Sequence, residues 1–162
     1  MEGKRSRRII SGRQEVGKKR EKVEPHVCSF IAARFCVCIN LIPGFRLSAP
    51  PHMKVVHLPL QDNETTDLSP HWANVYKEIE EARKGAGRAL LLCAMGISRS
   101  ATFGIAYVMQ YEKKTLHDSY KAVQLARNII CPNVGFFQQL IDLEQKVFTT
   151  TTCSNVQLMS SL

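Results

Sequence analysis

Cys93 and Arg99 stand six positions apart in the stretch Leu92-Cys93-Ala94-Met95-Gly96-Ile97-Ser98-Arg99-Ser100. A cysteine thiolate is a strong nucleophile, and electropositive surroundings favour it. Arginine offers a planar fork that matches two oxygens of an oxyanion. Between them, Ala94, Met95, Gly96, Ile97 and Ser98 form a short loop in which Gly96 permits a tight turn. The loop amides can then converge as an anion-binding nest. Such a constellation suits in-line attack of sulfur on a cradled phosphorus, with the amides and guanidinium stabilising the equatorial oxygens. A phosphocysteine results, which water hydrolyses in a second step. Departure of an alkoxide or phenoxide also needs a proton donor. The polar stretch from Gln61 to Ser69 holds three carboxylates that qualify on chemistry alone: Asp62, Glu64 and Asp67.

Cys-x5-Arg arises often by chance, and its setting is what makes it informative here. Ala89 to Cys93 is an uninterrupted apolar run, as expected of a strand buried on both faces. Ala101 to Tyr111 is apolar nearly all round, as in a central helix. The loop therefore joins a buried strand to the start of a buried helix, where open α/β sheets bind ligands and helix amides attract anions. Phe35–Ile42, stopping at Pro43-Gly44, and Lys54–Leu58, closed by Pro59, predict two more strands.

Ser69-Pro70 predicts a helix start with Ser69 as N-cap; Leu68, Trp72, Val75, Ile79 and Ala82 mark its apolar face. Thr115 and Asp118 form a capping box for a helix running to about Asn128. Pro132 opens the last helix, which turns Phe136, Phe137, Leu140, Ile141 and Val147 inward. This order predicts an α/β fold with a small central, largely parallel sheet flanked by helices.

The 162 residues allow one domain of ordinary size. With 44% hydrophobic and 22% charged residues, a wholly disordered chain, a collagen-like repeat and a disulfide miniprotein are excluded. The 22 Lys+Arg against 14 Asp+Glu give +8, which suggests an anionic partner. Nine basic and four acidic residues fall within 1–24, so most of the excess sits on a leader. Residues 1–25 accordingly read as a flexible basic arm, 26–149 as the domain and 150–162 as a Ser/Thr-rich tail. Lys18-Lys19-Arg20 in the arm matches a nuclear address, but so short a run reads first as a solvated tail, and nucleic acid or anionic lipid is the lesser reading for the arm.

No stretch reaches the roughly 20 apolar residues that span a membrane; Val27–Ile42 is interrupted by Arg34 and Asn40. The six cysteines show no regular framework, which fits reduced thiols in the cytoplasm or nucleus. His26/Cys28 and Cys36/Cys38 lack a second ligand pair at zinc spacing.

From Cys36, through VVHLPLQDNETTDLSPHW and CAMGISRSATFGIAYVMQ, to Gln145, the chain resembles the atypical dual-specificity protein phosphatases. These belong to the cysteine-dependent protein tyrosine phosphatase superfamily and lack a kinase-binding domain. The signature loop, the AYVM helix and the PNVGF segment appear in the family's order. The resemblance implies a protein tyrosine phosphatase-like fold, phosphoprotein substrates, hydrolysis of phosphotyrosine and phosphoserine/threonine, and no cofactor or metal. It makes Cys93 the nucleophile, Arg99 the phosphate clamp and Ser100 the hydroxyl that assists the thiolate as leaving group. Among the three carboxylates it selects Asp62 as general acid. Asn133 falls in the segment that supports the phosphate loop, though its type and place also suit a helix cap.

Two departures stand out. Leu92 occupies a position where the family usually has a histidine that helps keep the thiol ionised. Residues 1–34 do not resemble the strand and helix that normally open the domain, so the sheet is expected to lack an edge strand. The alternative they raise is a weak or inactive phosphatase-like module that holds phosphoproteins without turning them over.

Overall fold

Strand β2 (Val37–Asn40) is buried at all four positions and lies between β3 (Lys54–His57) and β4 (Ala89–Leu92). The computed structural model describes residues 10–12 and 35–159, with side chains for 35–149. A fourth strand, β1 (Ile10–Gly12), pairs with the far side of β4, giving the order β1-β4-β2-β3, parallel throughout. Gly12 and Asn40 both register with Leu92, and Asn40 with His57, so all four strands end in line. The segments leaving β2, β3 and β4 therefore emerge side by side. Their backbones stay tied beyond the sheet: Leu41 N–H donates to Leu92 O at 2.8 Å and Leu58 N–H to Asn40 O at 2.9 Å.

β1 corrects an expectation. The sheet does have an edge strand there, and it comes from within the segment read as a flexible arm. Three residues are too few to show strand alternation; the pairing comes from the open edge of β4, which a backbone of almost any sequence can complete. The rest of the arm, and the helix missing from the sequence pattern before β2, lie outside the described residues.

Four α-helices accompany this sheet among the described residues. Helix α1 (Trp72–Lys84) packs on β2 and β4; α2 (Arg99–Glu112) touches α1, β4, α3 (Leu116–Ala126) and α4 (Val134–Met159). A helix contacted from so many directions must be apolar all round, and every residue of α2 from Arg99 to Met109 is buried. Leu68, Trp72, Val75, Ile79 and Ala82 are all buried, as their spacing predicts, with the Trp72 ring edge-on to Phe103 at 4.9 Å. Thr115 caps α3 by accepting from Asp118 N–H at 3.2 Å. None of the described helices is long and apolar enough to cross a membrane.

Three boundaries differ from the sequence pattern. Ser69 does not cap α1: it begins a 3-10 turn, Ser69–His71, and Asp67 Oδ1 accepts from Ser69 N–H at 2.8 Å instead. The last helix starts at Val134, two residues past Pro132, because Asn133 Oδ1 accepts from Phe136 N–H at 2.9 Å. It also continues to Met159 through the Thr-rich segment read as a tail, since an established helix carries residues of weak propensity onward. Phe136 is buried as expected, but Phe137 is 38% exposed and meets Tyr120 edge-on at the surface.

Cys38 lies at the middle of β2, fully buried between Leu90 and Val55. Burial pushes its thiol from 9.0 up to about 11. Between those two values the unfolded chain has lost a proton that the folded chain keeps, so stability falls as pH rises through that window. Cys38→Ala should flatten the fall by on the order of 1–2 kcal/mol while lowering stability at neutral pH, where it leaves a cavity. Urea unfolding measured from pH 7 to 10.5 checks both signs.

Candidate active site

Cys93 is the first residue after β4 and is almost completely buried, at 1% exposure. Its Sγ lies 3.1 Å from Ser100 Oγ, which the first turn of α2 brings back beneath the loop. Gly96 takes a left-handed φ of 65°, which a residue with a Cβ adopts only with strain.

The loop's carbonyls have partners on its outer side. Arg127, just past the end of α3, donates from Nη2 to Met95 O at 2.9 Å and from Nε to Gly96 O at 2.8 Å. Cys131 N–H donates to Ile97 O at 2.9 Å, and Thr102 donates to Ser98 O from both its N–H and its Oγ1, each at 2.9 Å. A trans peptide points its N–H opposite to its C=O. Anchoring the carbonyls of 95–98 in this way turns the N–H groups of Gly96, Ile97, Ser98 and Arg99 toward the side the loop encloses, and no cis bond interrupts the series. The sequence marks none of these anchors. Arg127 reads only as a basic residue near a helix end, where cations are common.

Arg99 opens α2 and is 7% exposed. Its Nη1 donates to Leu41 O at 3.2 Å and to Leu60 O at 2.9 Å, the carbonyls of the segments leaving β2 and β3. The parallel sheet, by ending its strands in line, thus supplies the acceptors that aim this guanidinium. Asn40 steadies the first of them: its Oδ1 accepts from Ile42 N–H at 3.0 Å and its Nδ2 donates to Phe45 O at 2.8 Å. Arg99 Nε meets Asp62 Oδ2 at 3.3 Å.

Of the three carboxylates in the loop after β3, Asp62 is the one held at this centre. Besides Arg99, it accepts from Ser98 Oγ at 2.7 Å and from Asn133 Nδ2 at 3.0 Å, both on Oδ1. Glu64 is exposed, as Asp62 is, but among the described residues it makes no bond to Ser98, Arg99 or Asn133. Hydrogen bonds from the Ser69 backbone and side chain hold the Asp67 carboxyl below its ordinary range, the wrong direction for a proton donor. Asn133 bonds in two directions. Its Oδ1 caps α4, while its backbone N–H and its Nδ2 reach Ser98 Oγ and Asp62.

A buried thiol, a loop with its carbonyls anchored outward, a guanidinium and a carboxylate thus meet at one edge of a parallel sheet. The family model for the dual specificity phosphatase catalytic domain matches residues 21–146. The chain belongs to this family. It is 78% identical over 160 residues to the Caenorhabditis elegans uncharacterized protein ZK757.2, covering 94% of this chain and 53% of that protein. It is 37% identical over 116 residues to human dual specificity protein phosphatase 14, covering 72% of this chain and 57% of that protein. The chain therefore spans about half the length of the curated relatives it matches. Among solved structures, human DUSP28 superposes with a TM-score of 0.70 at 26% identity, over 75% of this chain and 85% of that one. The dual specificity phosphatase match begins at residue 21, inside the segment read as a separate arm.

If Arg127 holds the loop open for an anion, Arg127→Ala should weaken inorganic phosphate binding about tenfold, a loss of about 1.4 kcal/mol. Arg127→Lys, which keeps the charge but not the fork, should recover only part. Titration calorimetry on the three proteins, beside thermal melts, checks this.

Proposed function

We propose that this chain is a cysteine-dependent protein phosphatase acting on phosphotyrosine and phosphoserine/threonine in proteins. The observation that carries the reading is the peptide orientation of the loop after Cys93, with its carbonyls anchored outward at 95–98. That orientation sets successive amides, together with Arg99, around the three equatorial oxygens of a phosphate whose phosphorus faces Cys93 Sγ.

In the first step the thiolate attacks phosphorus, the S–P bond forms and the P–O bond to the substrate breaks. Asp62 gives its proton to the departing oxygen. The incoming dianion takes Asp62's place as the anion at Arg99 and releases the carboxyl toward the leaving group. In the second step Asp62 accepts a proton from water, whose oxygen attacks phosphorus and expels the Cys93 thiolate. The Ser100 hydroxyl, 3.1 Å away, stabilises the sulfur as it regains its charge. Inorganic phosphate then leaves.

A second reading rests on Leu92, which places an apolar side chain immediately before the nucleophile. It has the chain bind phosphoproteins without turnover, and it predicts phosphopeptide affinity that disappears in Arg99→Ala, with no phosphate released by the wild type.

The deciding assay is phosphate release from an aryl phosphate and from phosphopeptides in the presence of a chelator. Cys93→Ser should lower the rate by about a thousandfold or more while the protein stays folded; activity that survives it overturns the mechanism. Asp62→Ala should cost about a hundredfold, with alkyl phosphates slowed more than activated aryl phosphates because their leaving oxygens depend more on the proton.

A further inference from the structure

The loop that carries Asp62 is not held by the phosphate loop alone. Within it, Asn63 Oδ1 accepts from Thr65 N–H at 3.1 Å, from Thr65 Oγ1 at 3.0 Å and from Thr66 Oγ1 at 2.9 Å, so 63–66 form one braced turn. Leu68, at the far end, is buried in the core.

This unit is seated on α4 through Gln139. The Gln139 side chain accepts from Leu68 N–H at 2.8 Å and donates from Nε2 to Thr66 O at 2.9 Å. A single carboxamide thus completes a donor and an acceptor of one loop segment, as a neighbouring strand would. One helical turn earlier on the same face, Gly135 lies so close that a Cβ built on it would overlap the Glu64 carbonyl oxygen. Asn133, at the start of the helix, reaches Asp62 itself. The contacts from α4 to this loop thus run in order from Asp62 through Glu64 to Thr66 and Leu68.

We propose that Gln139 is a positioning residue for the proton-transfer step, fixing where the Asp62 carboxyl stands relative to Cys93. The proposal rests on the reading of Asp62 as general acid and deepens it. Gln139 bonds the Asp62 loop and the carbonyl of Gly135 on its own helix, with no bond to Cys93, the 94–98 loop or Arg99. Its loss should therefore disturb acid catalysis and leave the anion site as it was.

The test measures kcat/KM for a phosphoserine peptide and for an activated aryl phosphate, and the Kd for inorganic phosphate. It uses wild type, Gln139→Ala, Gln139→Glu, Asp62→Ala and the double variant Asp62→Ala/Gln139→Ala. Gln139→Ala should lower the alkyl rate about tenfold relative to the aryl rate and leave the phosphate Kd within about twofold. Gln139→Glu, which keeps the acceptor for Leu68 but not the donor for Thr66, should fall between, and it serves if the alanine variant fails to fold. In the Asp62→Ala background removing Gln139 should cost nothing more, because a residue that acts through another has no effect once the other is gone.

An equal loss on both esters, a weakened phosphate Kd, or a further drop in the double variant would overturn the positioning role while leaving the phosphatase reading intact. A folded wild type with no turnover would overturn both.

Discussion

A peptide group cannot turn its N–H and its C=O to the same side. To gather four successive amides around an anion, a protein must give four successive carbonyls partners on the opposite side, because a carbonyl buried without one costs as much as the amide gains. Here the partners are Arg127, the Cys131 amide and Thr102. Much of the surrounding structure follows from that need. The end of α3 must lie beside the loop, the segment from 127 to 133 must cross behind it, and α2 must begin at Arg99. Gly96 is the position where the chain must turn left-handed to keep the series going.

The sheet contributes in a different way. Because its strands are parallel and end in register, the backbone leaving β2 and β3 presents Leu41 and Leu60 carbonyls at the place where Arg99 enters. A buried guanidinium needs acceptors on most of its nitrogens. Carbonyls meet that need without placing a competing negative charge beside Arg99, whose Nε is left to meet Asp62.

What was legible in the sequence is what local spacing encodes. The strand–loop–helix around Cys93 shows in its apolar runs, the face of α1 in the spacing of Leu68 to Ala82, and the cap of α3 in Thr115 and Asp118. Cys93, Arg99, Ser100, Asp62 and Asn133 are brought to one place, with Ala94 to Ser98 forming the turn between the first two. The family resemblance, not the chemistry alone, had separated Asp62 from Glu64 and Asp67. What stayed hidden depends on contacts between distant segments. Ser69 has the residue type of a cap, yet it begins a 3-10 turn and its own N–H is taken up by Asp67. Arg127 and Gln139 look like ordinary surface residues of helix ends and faces, and their partners are backbone atoms, which leave no mark in a sequence. β1 is too short to carry a pattern, and the helix through the Thr-rich segment runs against composition.

The all-parallel ladder also orders events in time. Parallel neighbours cannot be joined by a tight hairpin, so each pairing waits for a crossover to close. Ile10–Gly12 are synthesised well before Ala89–Leu92, yet among the described residues the latter provide their only strand partner within the sheet. The edge of the sheet nearest the start of the chain is therefore among the last to form. Until it does, a nascent chain carries β4 with one hydrogen-bonding edge open to other strands.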